Sequence, residues 1–197
     1  MPHERDPYTE RLKRVSGARW KQVLNVQAPY RWNLRRLNPG YVLDIGCGIG
    51  RNLIHLDRNG VGVDTSAASV AAARAQGCVA YTSTDFPAAP EAEPGVFDSL
   101  LFAHVLEHMD RDQAASLVGE YLAYLKPGGC VIVIVPQEAG FATDTTHVNF
   151  LDTDDLHRMM SEVSLTVARS YSFPFPRPTG RVFAYNETVV VAHSDPD

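Results

Sequence analysis

The sequence predicts an α/β fold: a three-layer α-β-α arrangement around a mostly parallel sheet, closed by a C-terminal antiparallel β-hairpin and capped by N-terminal helices. Three observations predict it. Short apolar runs ending in glycine or aspartate alternate with helical patterns of about ten to fifteen residues, the signature of βαβ units. A Gly-x-Gly-x-Gly turn joins the first run to the first helix of that series. Two late apolar runs follow each other with a proline-rich loop and no helix between them, so they should pair antiparallel.

The elements follow in order. Leu12, Val15, Trp20, Val23 and Leu24 fall near helical spacing over 8–26. Pro29 opens a second helix that runs to Leu37, before Asn38-Pro39-Gly40 stops it. Tyr41–Ile45 is a buried strand, a helix covers 51–58, and Gly60–Asp64 is the second strand. Thr65-Ser66 caps a helix over 67–75, and Cys78–Thr82 is the third strand. The stretch 87–95 holds three prolines and two glutamates and reads as a surface loop. Val96–Phe102 is the fourth strand, 111–125 a helix, and 130–136 the fifth strand. A helix over 153–162 leads to strands at 164–172 and 181–192. The whole is expected to be one domain, residues 1–38 forming the helical cap and 40–192 the ligand-binding core.

Composition sets outer bounds. The chain has 197 residues, 45% hydrophobic and 21% charged, enough to bury a core without disulfides or a structural metal. Its formal net charge is −5, which disfavours a protein that coats nucleic acid. Residues 1–40 hold nine Lys/Arg against three Asp/Glu, and the rest of the chain nine against twenty. No apolar run reaches the ~20 residues of a membrane span, and the charged start has no signal-peptide core. Three widely spaced cysteines (Cys47, Cys78, Cys130) suit reduced thiols, so a cytoplasmic location is expected.

The chemistry begins in the segment 42–51, VLDIGCGIGR. A buried strand delivers Asp44, then Gly46, Gly48 and Gly50 form a turn on which a ligand can lie directly. Asp64, at the end of the second strand, stands where an acid accepts two hydrogen bonds from a ribose diol. Dinucleotide-binding turns want a third glycine where this chain has Arg51, which disfavours NAD.

With these residues the sequence resembles the class I S-adenosylmethionine-dependent methyltransferases, over about residues 40–192. VLDIGCGIGR matches the first motif of that family and GVDTS the second. Thr84-Asp85-Phe86 matches the end of the third strand, FDSLLFAHVLEHM the fourth-strand motif, and LKPGGCVIVIVP the turn into strand five. The resemblance implies a Rossmann-like, seven-stranded sheet with S-adenosylmethionine as cofactor. It places Gly46, Cys47 and Gly48 against the methionine and ribose, Asp44 near the amino group, and Asp64 with Thr65 at the ribose. Asp85 would accept from the adenine amino group, Phe86 would pack on the ring, and the Ala103 carbonyl would face the ammonium.

Two stretches at strand ends offer acid–base groups: His104-Val105-Leu106-Glu107-His108, and the 144–150 loop carrying His147. His147 is the expected general base, with Glu107 and His108 beside it, because an unperturbed imidazole titrates near neutral pH. Glu107, His108, His147 and His104 are also a candidate metal set for Mg²⁺ or Mn²⁺. They resemble the Glu-x-x-Glu-His plus His set of metal-dependent class I methyltransferases, from which this chain departs at His104. Both readings need Glu107 and His147 within about 8 Å of each other. His55 and His157 read as structural. Trp20, Tyr30, Trp32, Phe173, Phe175 and Arg177 are candidates for an acceptor lid.

The expected reaction is methyl transfer to a hydroxyl of a small polyhydroxylated acceptor, a saccharide or a diol. The rivals are an RNA 2′-O-methyltransferase and a non-catalytic cofactor-binding regulator. The expected partner is thus a small molecule, with a homodimer as one option and no membrane.

Overall fold

A computed structural model describes residues 27–195; the predicted helix over 8–26, Trp20 included, lies outside the described residues. Helix α1 (Ala28–Arg36) opens with Pro29 in its first turn and ends on Arg35 and Arg36, whose charges suit the negative end of the helix dipole. Strand β1 (Val42–Ile45) is buried on both faces. Helix α2 (Arg51–His55) is shorter than predicted, because Asp57 and Arg58 take left-handed backbone angles of 57° and 62° and turn the chain toward β2 (Gly60–Asp64).

Helix α3 (Ala67–Ala75) is capped by Ser66, whose side chain accepts the Ser69 N–H, and β3 (Val79–Thr82) follows. Strand β4 (Phe97–Ala103) leads to helix α4 (Arg111–Tyr121), closed at its start by a reciprocal cap between Asp110 and Gln113. The predicted helix to 125 divides here: α4 stops at Tyr121, and Leu122–Tyr124 tighten into a 3₁₀ turn. Strand β5 (Leu125–Pro136) starts earlier than predicted, its register with β4 broken between Phe97 and Ser99. A short helix α5 (Glu138–Phe141), absent from the sequence prediction, starts the loop after β5. Helix α6 (Thr153–Glu162) has the predicted limits and the same reciprocal cap, from Asp152 and Asp155.

Strands β6 (Thr166–Phe173) and β7 (Glu187–His193) complete the sheet. Strand β7 begins six residues later than predicted. The intervening segment is a loop fastened by the Asn186 side chain, which accepts from Phe175 N–H at 2.9 Å and donates to Gln137 Oε1 at 2.9 Å.

The seven strands lie in the order β3-β2-β1-β4-β5-β7-β6. Strands β1 to β5 run parallel, and β7 enters antiparallel between β5 and β6. The late strands thus form the predicted antiparallel hairpin. One face packs Leu156, Met159 and Met160 of α6 with Ala114 and Val118 of α4 against Leu100, Phe102, Val131 and Val133. Each fully buried Leu, Met, Val or Phe among them stabilises by roughly 1.5–3 kcal/mol. The other face packs Leu34 of α1 on Val42, Leu101, Ile132, Val189 and Val191. The strand order reverses between β1 and β4, and in such sheets the crevice outside the carboxyl ends at that point is where ligands bind. Among the described residues, no helix is long and apolar enough to cross a membrane.

Candidate active site

The glycine turn after β1 sits at that crevice, and four of its backbone N–H groups are engaged within the protein. Gly46 and Cys47 both donate to the Val63 carbonyl, at 2.7 and 3.0 Å, Gly50 donates to the Cys47 carbonyl, and Gly48 donates to Asp64 Oδ2 at 2.8 Å. Gly46 is required by packing: at φ +72° a Cβ would run into the Val105 side chain just past β4. The Cys47 thiol is buried behind the turn against Gly62, so only its backbone can face a ligand.

Asp64 accepts from Gly48 N–H through one oxygen and from Ser66 N–H through the other, both at 2.8 Å. Each oxygen keeps a further lone pair for a ribose hydroxyl. Thr65 is exposed beside it. Asp44 is fully buried; burial, opposed by a long Asn52 hydrogen bond and reinforced by Asp64, pushes its pKa up to about 7. Its Oδ2 has no hydrogen-bond partner among the described residues, an oxygen that a ligand ammonium or bridging water would satisfy. Asp85, past the end of β3, is exposed and accepts from the Thr82 hydroxyl at 2.7 Å. Phe86 departs from its expected place. Its ring is 1% exposed and packs among Tyr81, Tyr121 and Tyr124, so it belongs to the core and offers no face to an adenine. Ala103, half-buried, ends β4 and keeps its position at the crevice.

Beyond β4 the chain folds Leu106–His108 into a 3₁₀ turn that buries Glu107, and the 144–150 loop returns onto it. Val148 and Asn149 both donate to the Glu107 carbonyl, at 2.9 and 3.2 Å. These bonds bring Glu107, His108 and His147 together, with one ligating atom from each all within 4.8 Å of one another. His147 Nε2 lies 4.0 Å from Glu107 Oε1. A carbonyl can only accept, so the 2.9 Å contact of His147 Nδ1 with the Phe141 carbonyl places a proton on Nδ1 and leaves Nε2 as the basic nitrogen of the neutral ring. His108 Nδ1 likewise meets the Thr146 carbonyl at 3.3 Å, and its ring stands 4.8 Å from that of His147.

His104 does not join this set as the sequence suggested. Its Nδ1 is 3.3 Å from Glu107 and its Nε2 2.9 Å from Glu187, so neither ring nitrogen is available to an ion. Desolvation opposes its charge, but the hydrogen bonds to Glu107 and Glu187 outweigh it and hold its pKa at about 10. Glu187 carried no sequence signal, since a strand-opening glutamate looks like any surface acid. The lid candidates divide as well. Arg177 is committed to a two-pronged ion pair with Glu138, at 2.6 and 2.7 Å, and Phe173 is buried. Tyr30 donates to the Tyr185 carbonyl at 2.6 Å, whereas Trp32 and Phe175 are about half exposed. His55 is buried in α2, and His157 Nε2 is buried without a hydrogen-bond partner among the described residues.

The same arrangement of strands and helices recurs in known proteins. A family model described as a methyltransferase domain matches residues 12–170. A curated relative, a ubiquinone biosynthesis O-methyltransferase of Bradyrhizobium sp. (strain ORS 278), is 37% identical over 98 residues, 47% of this chain and 38% of that protein. The chain thus aligns with well under half the length of that relative. Among solved structures, an S-adenosylmethionine-dependent methyltransferase from Archaeoglobus fulgidus superposes with a TM-score of 0.70 at 17% identity, covering 96% of this chain and 100% of that one. Magnesium protoporphyrin IX methyltransferase from Synechocystis PCC 6803, with bound S-adenosylhomocysteine, gives 0.64 at 18%, covering 94% and 93%. These structural likenesses show a shared fold. The family model over residues 12–170, with the seven-stranded order, leads to one conclusion: the chain belongs to the class I S-adenosylmethionine-dependent methyltransferases.

Proposed function

We propose that this methyltransferase transfers the methyl group to a hydroxyl of a small acceptor carrying a second hydroxyl, a saccharide or a catechol-like diol, with His147 as general base. The observation that carries the reading is the convergence of Glu107, His108 and His147 within 4.8 Å at the carboxyl ends of β4 and β5. Methyl transfer from a sulfonium is an in-line displacement: the acceptor oxygen bonds to the methyl carbon as the carbon–sulfur bond breaks. The protein's part is to place the oxygen and remove its proton. His147, with Nδ1 donating to the Phe141 carbonyl, has Nε2 ready to take that proton. The O-methyltransferase name of the Bradyrhizobium relative supports an oxygen acceptor. The half-exposed Trp32 and Phe175 are lid residues in this reading.

The same three residues fit a divalent metal. Glu107 Oε2 is buried and without a hydrogen-bond partner among the described residues, as a ligand atom awaiting an ion would be. Glu107, His108 and His147 would hold it, and when bound it would supply Lewis acidity and a template for two neighbouring hydroxyls. With His104 excluded, the donors are two imidazoles and one carboxylate, which favours Mn²⁺ over the oxygen-seeking Mg²⁺. On the cofactor side, Asp44, Asp64, Thr65, Asp85 and the backbone of Gly46, Cys47, Gly48 and Ala103 would contact S-adenosylmethionine.

The test is transfer of labelled methyl to a panel of catechols, glycosides, phenols and RNA, with EDTA and then with added Mn²⁺ or Mg²⁺. Methylation of a diol that EDTA abolishes and Mn²⁺ restores supports the metal version, and methylation indifferent to EDTA leaves His147 acting alone. Turnover on RNA with a steep salt dependence would favour the 2′-O-methyltransferase instead. Cofactor binding with no acceptor turned over would favour a regulator.

A further inference from the structure

A carboxylate that no sequence motif marks meets Glu107 through one histidine. Glu187 opens β7 in register with Pro136 of β5 and Phe173 of β6, and its carbonyl accepts Gln137 Nε2 at 3.1 Å, so its backbone is fixed from both neighbours. Its side chain is 13% exposed and reaches His104 Nε2 at 2.9 Å. His104 stands at φ +60°, a left-handed backbone that few non-glycine residues adopt, with its own N–H bonded to the Ile134 carbonyl at 2.9 Å. That backbone holds the ring between two carboxylates, and Nδ1 meets Glu107 Oε1 at 3.3 Å. The same Oε1 faces His147 Nε2 at 4.0 Å, while Glu107 Oε2 has no hydrogen-bond partner among the described residues. Through Oε1 the Glu107 carboxylate is therefore held by His104, and His104 by Glu187.

We propose that Glu187 is a positioning residue, which through His104 fixes the Glu107 rotamer that faces His147. The functional weight of that rotamer rests on the reading of Glu107 and His147 as the acceptor-side pair, but the row of contacts can be tested without any acceptor. The experiment records histidine ring ¹H–¹⁵N spectra of the full chain saturated with S-adenosylhomocysteine, for the wild type, Glu187→Ala, Glu187→Gln and Glu107→Gln. Loss of Glu187 should free Glu107 to turn, so the His147 Nε2 signal of Glu187→Ala should move toward its position in Glu107→Gln. Glu187→Gln keeps an acceptor oxygen for His104 and should restore the wild-type signal. If Glu187→Ala does not fold, His104→Asn cuts the same row and should give the same shift. A His147 signal unchanged in Glu187→Ala or His104→Asn, with Glu107→Gln shifted, would overturn the proposal. Full methyl transfer by a His147→Ala variant would instead remove the general-base reading and leave the ring spectra as they stand.

Discussion

Asp64 carries two duties with one carboxylate, and its replacement separates them. It closes the glycine turn through Gly48 and caps the approach to α3 through Ser66. Asp64→Ala should cost about 1–3 kcal/mol of stability and a further about 1.5–3 kcal/mol of cofactor affinity, the worth of hydrogen bonds to a charged acceptor. Calorimetry with S-adenosylhomocysteine showing unchanged affinity would remove the ribose assignment. Asp44 predicts a pH dependence. Its pKa of about 7 means that the free protein holds it protonated below that point, while in the proposed site the cofactor ammonium would pair with the anion. Affinity should therefore fall as pH drops through 7, by up to about tenfold per unit, and the slope should flatten in Asp44→Asn. His55 predicts the stability profile. Burial, with Arg51, Arg31 and Arg35 nearby, lowers its pKa to about 4. Between there and its unfolded value the unfolded chain binds the extra proton. The contribution is thus complete above pH 6.5 and falls away toward pH 4, roughly 2 kcal/mol between pH 7 and pH 5 in urea melts, and absent in His55→Gln.

At the scale of elements, the parts legible in the sequence are those fixed by local chemistry. Helix α6 has its predicted ends because Asp152 and Asp155 cap it and Leu156, Met159 and Met160 fall on one buried face. Strands β1 and β2 were readable because apolar runs delivered aspartates into a glycine turn. The errors fall where long-range contacts decide. Nothing local says that Asn186 will tie down the segment before β7, or that left-handed angles at Asp57 and Arg58 will cut α2 short. The site divides on the same line: the motif residues Asp44, Asp64 and Glu107 stand at the crevice. Phe86 fell into the core and His104 between two glutamates, because burial and a distant strand settled them. Packing between β1 and β4 yields a further prediction. Gly46→Ala should destabilise by about 1–3 kcal/mol through its left-handed backbone and the Val105 clash. Val105→Ala in the same chain should recover part of that loss in thermal melts, and no recovery would show that the backbone strain alone is responsible.

For the molecule as a whole, the sheet order brings its two halves to one crevice. Strands β1 to β3 supply two buried aspartates and the glycine turn, and β4 to β7 supply histidines and the buried Glu107. In the proposed reaction His147 acts on a hydroxyl while Asp64 holds the cofactor. The most direct measurement is the rate of labelled methyl transfer to the best acceptor of the diol panel by wild type and His147→Ala, with cofactor affinity measured on the same samples. The predicted result is turnover lower by about 10²–10⁴-fold with cofactor affinity unchanged, the usual worth of a general base. Equal turnover by the two proteins would contradict the assignment of His147 to the acceptor.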